Sequence, residues 1–204
     1  MPPLRLLSVR AHDIAGDRAA LAALIEQAGV DLACVHGSPS LLRWRSISAA
    51  LARQANLVVV GGGRTGGGNL LLSTLGVDVT GLRDLAFTGT SGLRPPGATL
   101  AVLALRGSEF VAAGARLGGS AADRLAQAEE LETALAGMHP GRPPALLSVD
   151  GVEPGTPAWD RLAAGRTAVG GGVFVDTRIE VGGVAQPGGR VRVELDLPAA
   201  APVE

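Results

Sequence analysis

The chain has 204 residues, 47% of them hydrophobic, and a formal net charge of −1. This length and apolar fraction predict one well-buried domain spanning residues 1–204. A near-neutral net charge gives no global attraction for polyanions, and an aromatic content of 2% leaves few side chains on which bases could stack. Nucleic acid is therefore not an expected partner.

The single cysteine and the amino-terminal residues restrict the site chemistry and the compartment. Cys34 excludes an internal disulfide and a multi-cysteine zinc site, and its apolar neighbours predict a buried, inert thiol. The first residues, MPPLRLLSV, lack the apolar segment of a signal peptide, and no stretch of about 18 apolar residues could span a membrane. We therefore expect a cytoplasmic protein that does not bind a membrane.

The amino-terminal part of the chain alternates between strand and helix patterns. Apolar residues predict a first strand at 4–9, and Asp17 is a candidate N-cap for the helix that follows. A second strand is predicted at Val30–Val35, and Ser38 with Pro39 suits the start of a second helix. The chain therefore begins with two strand–helix units.

Short strands broken by glycine follow the second helix. They are predicted at Asn56–Val60, Asn69–Leu75, Val77–Thr80, Leu100–Leu105 and Glu109–Ala113. The sequence GGGRTGGG at Gly61–Gly68 suggests a phosphate-binding loop, but no Lys-Ser/Thr follows it and a strand comes next. We therefore interpret this segment as a flexible hairpin loop.

The rest of the chain combines a long helix with further strands. Ser120 and Asp123 form a capping-box pattern for a helix that ends at Gly137. Later strands are predicted at Val173–Val175, Ile179–Val181 and Arg190–Leu197. The last of them is either paired on both sides or an exposed edge. The whole pattern predicts an α/β (α+β) fold, a four-layer sandwich of two mixed β-sheets flanked by helices.

One stretch, PALLSVDGVEPGTPAW, has the strongest site signal. Its apolar residues predict a buried strand with Asp150 at the carboxyl end, where open α/β sheets place their sites. Thr156 is a candidate N-cap, and Pro157 suits the first position of a short helix. The order of strand, acid, turn and helix indicates a functional carboxylate.

This stretch resembles the G-D-F-N-x-x-P-x-S-P-x-W segment of the endonuclease/exonuclease/phosphatase family, with Asp150 at the Asp position. Six further segments resemble strands of that family in the same order: LRLLSV, DLACVHGSP, GNLLLS, FVAAGARL, GGVFVD and QPGGRVRVEL. The resemblance covers nearly the whole chain and implies the four-layer sandwich. It also implies a site at which one or two magnesium ions bind a phosphoryl oxygen, while a water held by a carboxylate and a histidine supplies the hydroxide that attacks the phosphorus.

Most positions at which that family has a metal ligand or a base have other residues here. The resemblance places the family's Asn on Arg10, its Glu on Gly37 next to His36, its His on Arg116, its second Asn on Val152, its Asp on or near Gly171, and its closing Asp-His pair on Pro187 and Gly188. Asp150 is the one retained position. We therefore assign no catalytic residue and expect no metal ion or other cofactor.

Two of these replacements introduce arginines. In the implied fold, Arg10 and Arg116 point into the cleft and convert a cation site into an anion site. The candidate ligand-binding residues are thus Arg10, His36, Arg116 and Asp150. The other interpretation, which we favour, is that the arginines pair with Asp150 and neighbouring acids and fill the cleft.

These features predict a non-catalytic binding or scaffold protein, with an unknown protein partner or a phosphate-containing small ligand. The alternative is a phosphodiesterase or phosphatase that uses Mg²⁺ or Mn²⁺ at an atypical site around Asp150, Glu153, His36 and Arg116. A third interpretation is a structural subunit whose glycine-rich loops and Leu93–Gly97 turn are contact surfaces.

Overall fold

A computed structural model describes residues 3–11, 17–37, 43–90, 95–186 and 190–199. Its elements follow in the order β1 Leu4–Arg10, α1 Arg18–Ala28, β2 Leu32–His36, α2 Trp44–Gln54, β3 Val58–Gly63, β4 Asn69–Ser73, β5 Val77–Ala86, β6 Gly97–Leu105, β7 Ser108–Arg116, α3 Ala121–Ala136, β8 Ala145–Asp150, α4 Pro157–Ala163, β9 Arg166–Gly170, β10 Val173–Asp176, β11 Glu180–Ala185 and β12 Val191–Asp196.

The strands form two mixed six-stranded sheets. The first sheet has the order β11-β12-β1-β2-β4-β3, and the second has the order β5-β6-β7-β8-β10-β9. Each sheet contains one parallel pair, β1 with β2 in the first and β7 with β8 in the second. Helices α1 and α2 cover the outer face of the first sheet, and α3 and α4 cover that of the second. The predicted four-layer sandwich is therefore confirmed.

Side-chain alternation along the strands separates three hydrophobic cores. Leu6 of β1 and Leu146 of β8 face the opposite sheet in a central core. Their neighbours Leu7 and Leu147 point the other way, the first under α1 and α2 and the second under α3 and α4. Each fully buried leucine stabilises the fold by about 2 kcal/mol. Because successive residues of a strand alternate between faces, both faces of each sheet are apolar.

At one end of the central core the inward-facing positions become polar. Ser8 of β1, His36 of β2, Asn69 of β4 and Ser148 of β8 continue the alternation that begins with buried leucines, and all four are buried. Buried polar groups require hydrogen-bond partners. This end of the sandwich therefore differs in chemistry from the rest of the interior.

The structure corrects several predicted strand bounds. β3 continues to Gly63 instead of ending at Val60, so the loop of the β3–β4 hairpin is shorter than predicted. β2 ends at His36, one residue later than expected. β5 extends to Ala86, six residues beyond Thr80, and β9 has no predicted counterpart. Both β5 and β9 are edge strands. Most side chains of β5 are exposed, and those of β9 are exposed or half-buried, so both strands lack the apolar alternation that marks a strand.

Two predicted helix starts are confirmed. The Ser120 side chain accepts a hydrogen bond from the Asp123 amide, and the Asp123 side chain accepts one from the Ser120 amide, which completes the capping box of α3. Thr156 accepts from the Trp159 amide, and Pro157 occupies the first turn of α4. This cap ties the start of α4 to the turn after Asp150.

Of the other two predicted helix starts, the first has the predicted position and the second is not tested. Asp17 directly precedes α1, but its side chain makes no capping hydrogen bond. Ser38 and Pro39 lie outside the described residues, and the described part of the second helix begins at Trp44. At the other end of the chain, β12 pairs with both β1 and β11 and is not an edge. None of the helices in the described ranges is long and apolar enough to cross a membrane.

Candidate functional site

The four candidate residues are the last residues of the four strands in the two parallel pairs. In register, Arg10 of β1 lies beside His36 of β2, and Arg116 of β7 lies beside Asp150 of β8. Parallel strands end at the same edge of a sheet, and both sheets present this edge at the polar end of the central core. The strand-end positions inferred from the sequence therefore converge.

A cleft of about 670 Å³ opens between these strand ends. The charged and aromatic side chains that line it are those of Arg10, Asp17, His36, Asp150, Trp159 and Arg190. Apolar residues of β1 and α1 form one wall, and the turn after β8 and the glycines between β9 and β10 border the other. A concave surface with a few convergent polar groups is typical of a small-molecule site.

Arg10 and Asp150 form an ion pair across this cleft, from one sheet to the other. The Arg10 side chain is 58% exposed, and that of Asp150 is 15% exposed. Exposed ion pairs are screened by water and contribute about 1 kcal/mol or less. The pair therefore holds the two sides of the cleft together only weakly.

The Arg116 side chain, unlike that of Arg10, does not line the cleft. Its guanidinium donates to the carbonyl oxygen of Pro95 over 2.9 Å, and Arg116 is not among the residues that line the cleft. The prediction that both arginines point into the cleft is wrong for Arg116. Its guanidinium is hydrogen-bonded to Pro95, in the segment before β6. Three of the four candidate residues thus share one cleft, and Arg116 lies beside it.

His36 is the centre of a buried hydrogen-bond network that joins the sheets. Its Nδ1 lies 2.8 Å from Oδ1 of Asn69, and its Nε2 lies 2.7 Å from Oγ of Ser148. Ser148 in turn contacts Ser8 Oγ at 2.7 Å. The Cys34 sulfur lies 3.7 Å from Nε2. The prediction that Cys34 is buried is confirmed, and the thiol packs against the imidazole.

The network determines that Nδ1 of His36 has a proton. Nδ2 of Asn69 donates to the carbonyl oxygens of Gly66 and Gly97, over 2.6 and 2.9 Å, so Oδ1 faces His36 as an acceptor and Nδ1 donates to it. Ser148 donates to Ser8, which leaves its oxygen lone pairs for a proton on Nε2. Nδ1 therefore has a proton, and a second proton on Nε2 makes the ring an imidazolium.

The surroundings of His36 favour this charged form. Burial disfavours the imidazolium and by itself lowers the pKa, but the negative charge and hydrogen bond of Cys34, the hydrogen bond of Asn69 and the Asp150 carboxylate together raise the pKa to about 9. Protonated His36 therefore lies at the floor of the cleft, next to the groups that stabilise its charge.

Glycines follow the second strand of each parallel pair. Gly37 has φ +84°, and a Cβ there would lie 2.2 Å from the carbonyl oxygen of Ala11. Gly151 has φ +82°, and its Cβ would lie 2.2 Å from the carbonyl oxygen of Leu117. Gly37 is the position on which the resemblance places a metal-binding Glu, and the backbone leaves no space for any side chain there.

Several residues of the site have no place in the predictions. Asn69, Ser8 and Ser148 hold His36, and Arg190 lines the cleft. The available signal is a polar residue at the end of an apolar strand, as in SVD and NLLLS, which indicates a polar end of the core. Glu153, part of the alternative hydrolytic site, is exposed on the turn after β8 and does not line the cleft.

Other predicted positions give no ligand or base. Val152 lines the cleft with an aliphatic side chain, and Gly171 borders it with no side chain. Pro187 and Gly188 lie outside the described residues, as do Leu93 and Arg94 of the Leu93–Gly97 turn.

The residues present do not fit the divalent metal ion that the resemblance implies. Magnesium sites use carboxylates and other hard oxygen ligands. No group of three His, Cys, Asp or Glu side chains within the described ranges could hold a metal ion. Asp150 faces the guanidinium of Arg10, whose positive charge opposes a second cation at the same carboxylate.

Comparison with known proteins gives structural matches only. No protein-family model matches the sequence, and no curated protein matches it. An endonuclease/exonuclease/phosphatase from Bacteroides vulgatus matches with a TM-score of 0.81 and 12% identity, over 97% of this chain and 100% of that chain.

Two further solved structures belong to proteins with named activities or ligands. The human Nocturnin catalytic domain, solved with a bound sulfate anion, matches with a TM-score of 0.71 and 12% identity, over 97% of this chain and 94% of that chain. A mannosyl-6-phosphatase from Bacteroides thetaiotaomicron matches with a TM-score of 0.70 and 13% identity, over 96% of this chain and 100% of that chain. The backbone arrangement is thus shared at low sequence identity.

Proposed function

Since the chain has the endonuclease/exonuclease/phosphatase fold, we propose that it is a non-catalytic binding protein whose cleft holds a phosphate-containing anion without a metal ion. The observation that carries this proposal is the ion pair of Arg10 with Asp150. The one carboxylate retained at a family position is engaged by a cation of the chain itself. A hydrolase of this type requires that carboxylate for its metal ion or its substrate.

The charges of the cleft favour an anionic ligand. Arg10 and Arg190 line the cleft together with protonated His36, and Asp17 and Asp150 are its two carboxylates. Arginine binds phosphate through two parallel N–H donors, which gives both affinity and orientation. The aliphatic and aromatic walls of the cleft can accommodate an organic group attached to the phosphate.

In this proposal Asp150 occupies the place of the ligand on Arg10. Its carboxylate satisfies the guanidinium in the free protein, and an incoming phosphate takes over those donors. The exchange has a low cost because the Arg10 side chain is 58% exposed and the pair is screened. The sulfate anion in the Nocturnin structure supports the capacity of this fold to bind a tetrahedral anion.

The alternative function is metal-dependent hydrolysis of a phosphate ester. Retention of Asp150 and the phosphatase among the similar structures favour it. It requires Asp150 to exchange Arg10 for a metal ion, with His36 available only as a buried imidazolium. Asp150→Asn separates the two functions, because it removes a competitor in one and a metal ligand in the other.

The test is a thermal-shift and calorimetric titration of the full chain with inorganic phosphate, Mg²⁺ and Mn²⁺. We expect phosphate alone to raise the melting temperature, since a ligand that binds only the folded state stabilises it. Arg10→Ala should abolish the shift, and Asp150→Asn should tighten phosphate binding by roughly fivefold through removal of the competing carboxylate.

The matched control is Arg178→Ala. Arg178 pairs with Asp176, and the two side chains are 54% and 16% exposed, close to the values of Arg10 and Asp150. This variant should bind phosphate as the parent does. A shift with Mg²⁺ or Mn²⁺ that Asp150→Asn abolishes, together with turnover of a phosphodiester, would replace the proposal by the hydrolase. Absence of any phosphate shift would overturn it and leave a protein scaffold.

A further inference from the structure

Exposed large hydrophobic side chains cluster on one side of the sandwich. Within the described residues they are Val58, Val59, Leu75, Val79, Leu82 and Val184. All but Val184 lie on β3, on β5 or in the turn before β5. β3 and β5 are edges of the two sheets, and the Leu82 side chain packs against Gly61, so the two edges are adjacent. Apolar patches of this kind mark interaction surfaces.

β5 is the longer of the two edges. It spans Val77–Ala86, ten residues, and in the described chain it pairs only with β6. An edge strand presents a row of backbone N–H and C=O groups that another strand can pair with. Strand addition at β5 would therefore extend the second sheet.

A β-bulge at Thr80 sets which side chains of β5 share a face. Val79 lies opposite Leu103 and Leu82 opposite Ala101, and both partners belong to the central core. Directly opposite residues share a face. Val79 and Leu82 are therefore on the inner side of the sheet.

Two charged residues of β5 lie on the other face. Asp78 pairs with Ala104 and Arg83 with Leu100, which packs under α3, so both are on the outer side. Without the extra residue at Thr80, Asp78 and Arg83 would lie on opposite faces. Both side chains are exposed, and neither forms an ion pair within the described ranges.

From this pattern we infer that β5 is the interface of a homodimer, in which two copies pair antiparallel about a twofold axis between Thr80 and Gly81. In that register Val79 lies opposite Leu82 of the second copy, and Asp78 lies opposite Arg83 of the second copy. The symmetry repeats each pair, as in any isologous interface. β5 is therefore self-complementary, because it contains both members of the apolar pair and both members of the ionic pair. This favours a second copy of the chain over an unrelated strand as the partner.

The interface is independent of the proposed ligand site. None of the four β5 residues lines the cleft, so phosphate binding and dimer formation can fail separately. The experiment is sedimentation equilibrium of the full chain over a range that extends to about 200 µM, where weak symmetric dimers are populated. We expect a reversible monomer–dimer equilibrium.

Charge reversal tests the register. Asp78→Arg and Arg83→Asp each create two like-charge contacts, so each should weaken the dimer by about tenfold or more. The double variant restores opposite charges and should return the dissociation constant to within about threefold of the parent value. Glu180→Arg reverses an exposed charge on β11, the opposite edge of the first sheet, and should leave the equilibrium unchanged.

A second measurement does not depend on variants. Amide hydrogen exchange at residues 78–84 should slow as the protein concentration rises, because pairing protects the free edge of β5. A chain that stays monomeric at every concentration would overturn the inference, as would a dimer that tolerates the single reversals. A double variant as weak as the single ones would exclude this register and with it the proposed interface.

Discussion

The two parallel strand pairs end in the same backbone arrangement but with different side chains. In the β1–β2 pair the Ala11 amide donates to the His36 carbonyl over 2.8 Å, and in the β7–β8 pair the Leu117 amide donates to the Asp150 carbonyl over 2.8 Å. A glycine with positive φ follows in both. The two halves of the sandwich thus share one way of ending a strand pair.

The polar contacts of the two halves run between the sheets. Arg10 is the register neighbour of His36, yet it pairs with Asp150 of the other sheet. His36 likewise contacts Ser148 of the other sheet. Arg116, the counterpart of Arg10, donates to Pro95 within its own sheet's connection. The comparison shows that similar backbones hold a cleft whose chemistry arises only where the sheets face each other.

Alanine at the two glycines would break the shared backbone arrangement and should give the largest effect. Gly37→Ala and Gly151→Ala each place a methyl group against a carbonyl oxygen at positive φ. We expect each to reduce the free energy of unfolding by about 3–4 kcal/mol, and by similar amounts in the two halves, as measured by urea denaturation.

Gly155→Ala is the control for this pair. Gly155 has φ +77°, and a Cβ there would meet nothing within 4 Å. Gly155→Ala should reduce the free energy of unfolding only by the cost of a positive φ at alanine, about 1–2 kcal/mol. If Gly37→Ala cost no more than Gly155→Ala, the close approach to Ala11 would not constrain the turn.

The pH dependence of stability should distinguish the half that contains His36. Its pKa is about 9 in the folded chain, above the ordinary value of 6.5. Protonation of His36 therefore adds to the free energy of unfolding in full below pH 6.5. This contribution, about 3 kcal/mol, is lost as the pH rises through about 9. Urea midpoints between pH 6 and about 10 measure it.

His36→Gln should flatten this pH profile, because glutamine does not titrate. His139→Gln, at a partly exposed histidine in the turn before β8, controls for loss of a histidine as such and should retain the profile. An unchanged decline in His36→Gln would assign the titration to another group.

The smallest effect should come from the contact that joins the two halves. A double-mutant cycle with Arg10→Ala and Asp150→Asn should give a coupling energy of about 1 kcal/mol or less, falling with added salt. The same cycle on Arg178 and Asp176, a pair of similar exposure, should give a similar value. A salt-independent coupling above about 2 kcal/mol would mean that the Arg10 pair is not readily exchangeable.

Features with partners a few residues away could be predicted from the sequence. The Ser120–Asp123 box and the Thr156 cap are examples, because each joins residues three apart in the chain. The edge strands β5 and β9 are the opposite case. Few of their side chains are fully buried, so burial imposes no alternation on their sequences.

The sequence by itself determined the order of most strands and helices, the four-layer fold and the strand-end positions of Arg10, His36, Arg116 and Asp150. The element order and the fold follow from side-chain alternation and from short-range turn chemistry, whereas the family resemblance supplied the positions of Arg10, His36 and Arg116. The tertiary structure alone decided which of these side chains meet. His36 and Ser148 are 112 residues apart, and Arg10 and Asp150 are 140 residues apart. Such contacts depend on how one sheet packs on the other, which no local pattern encodes.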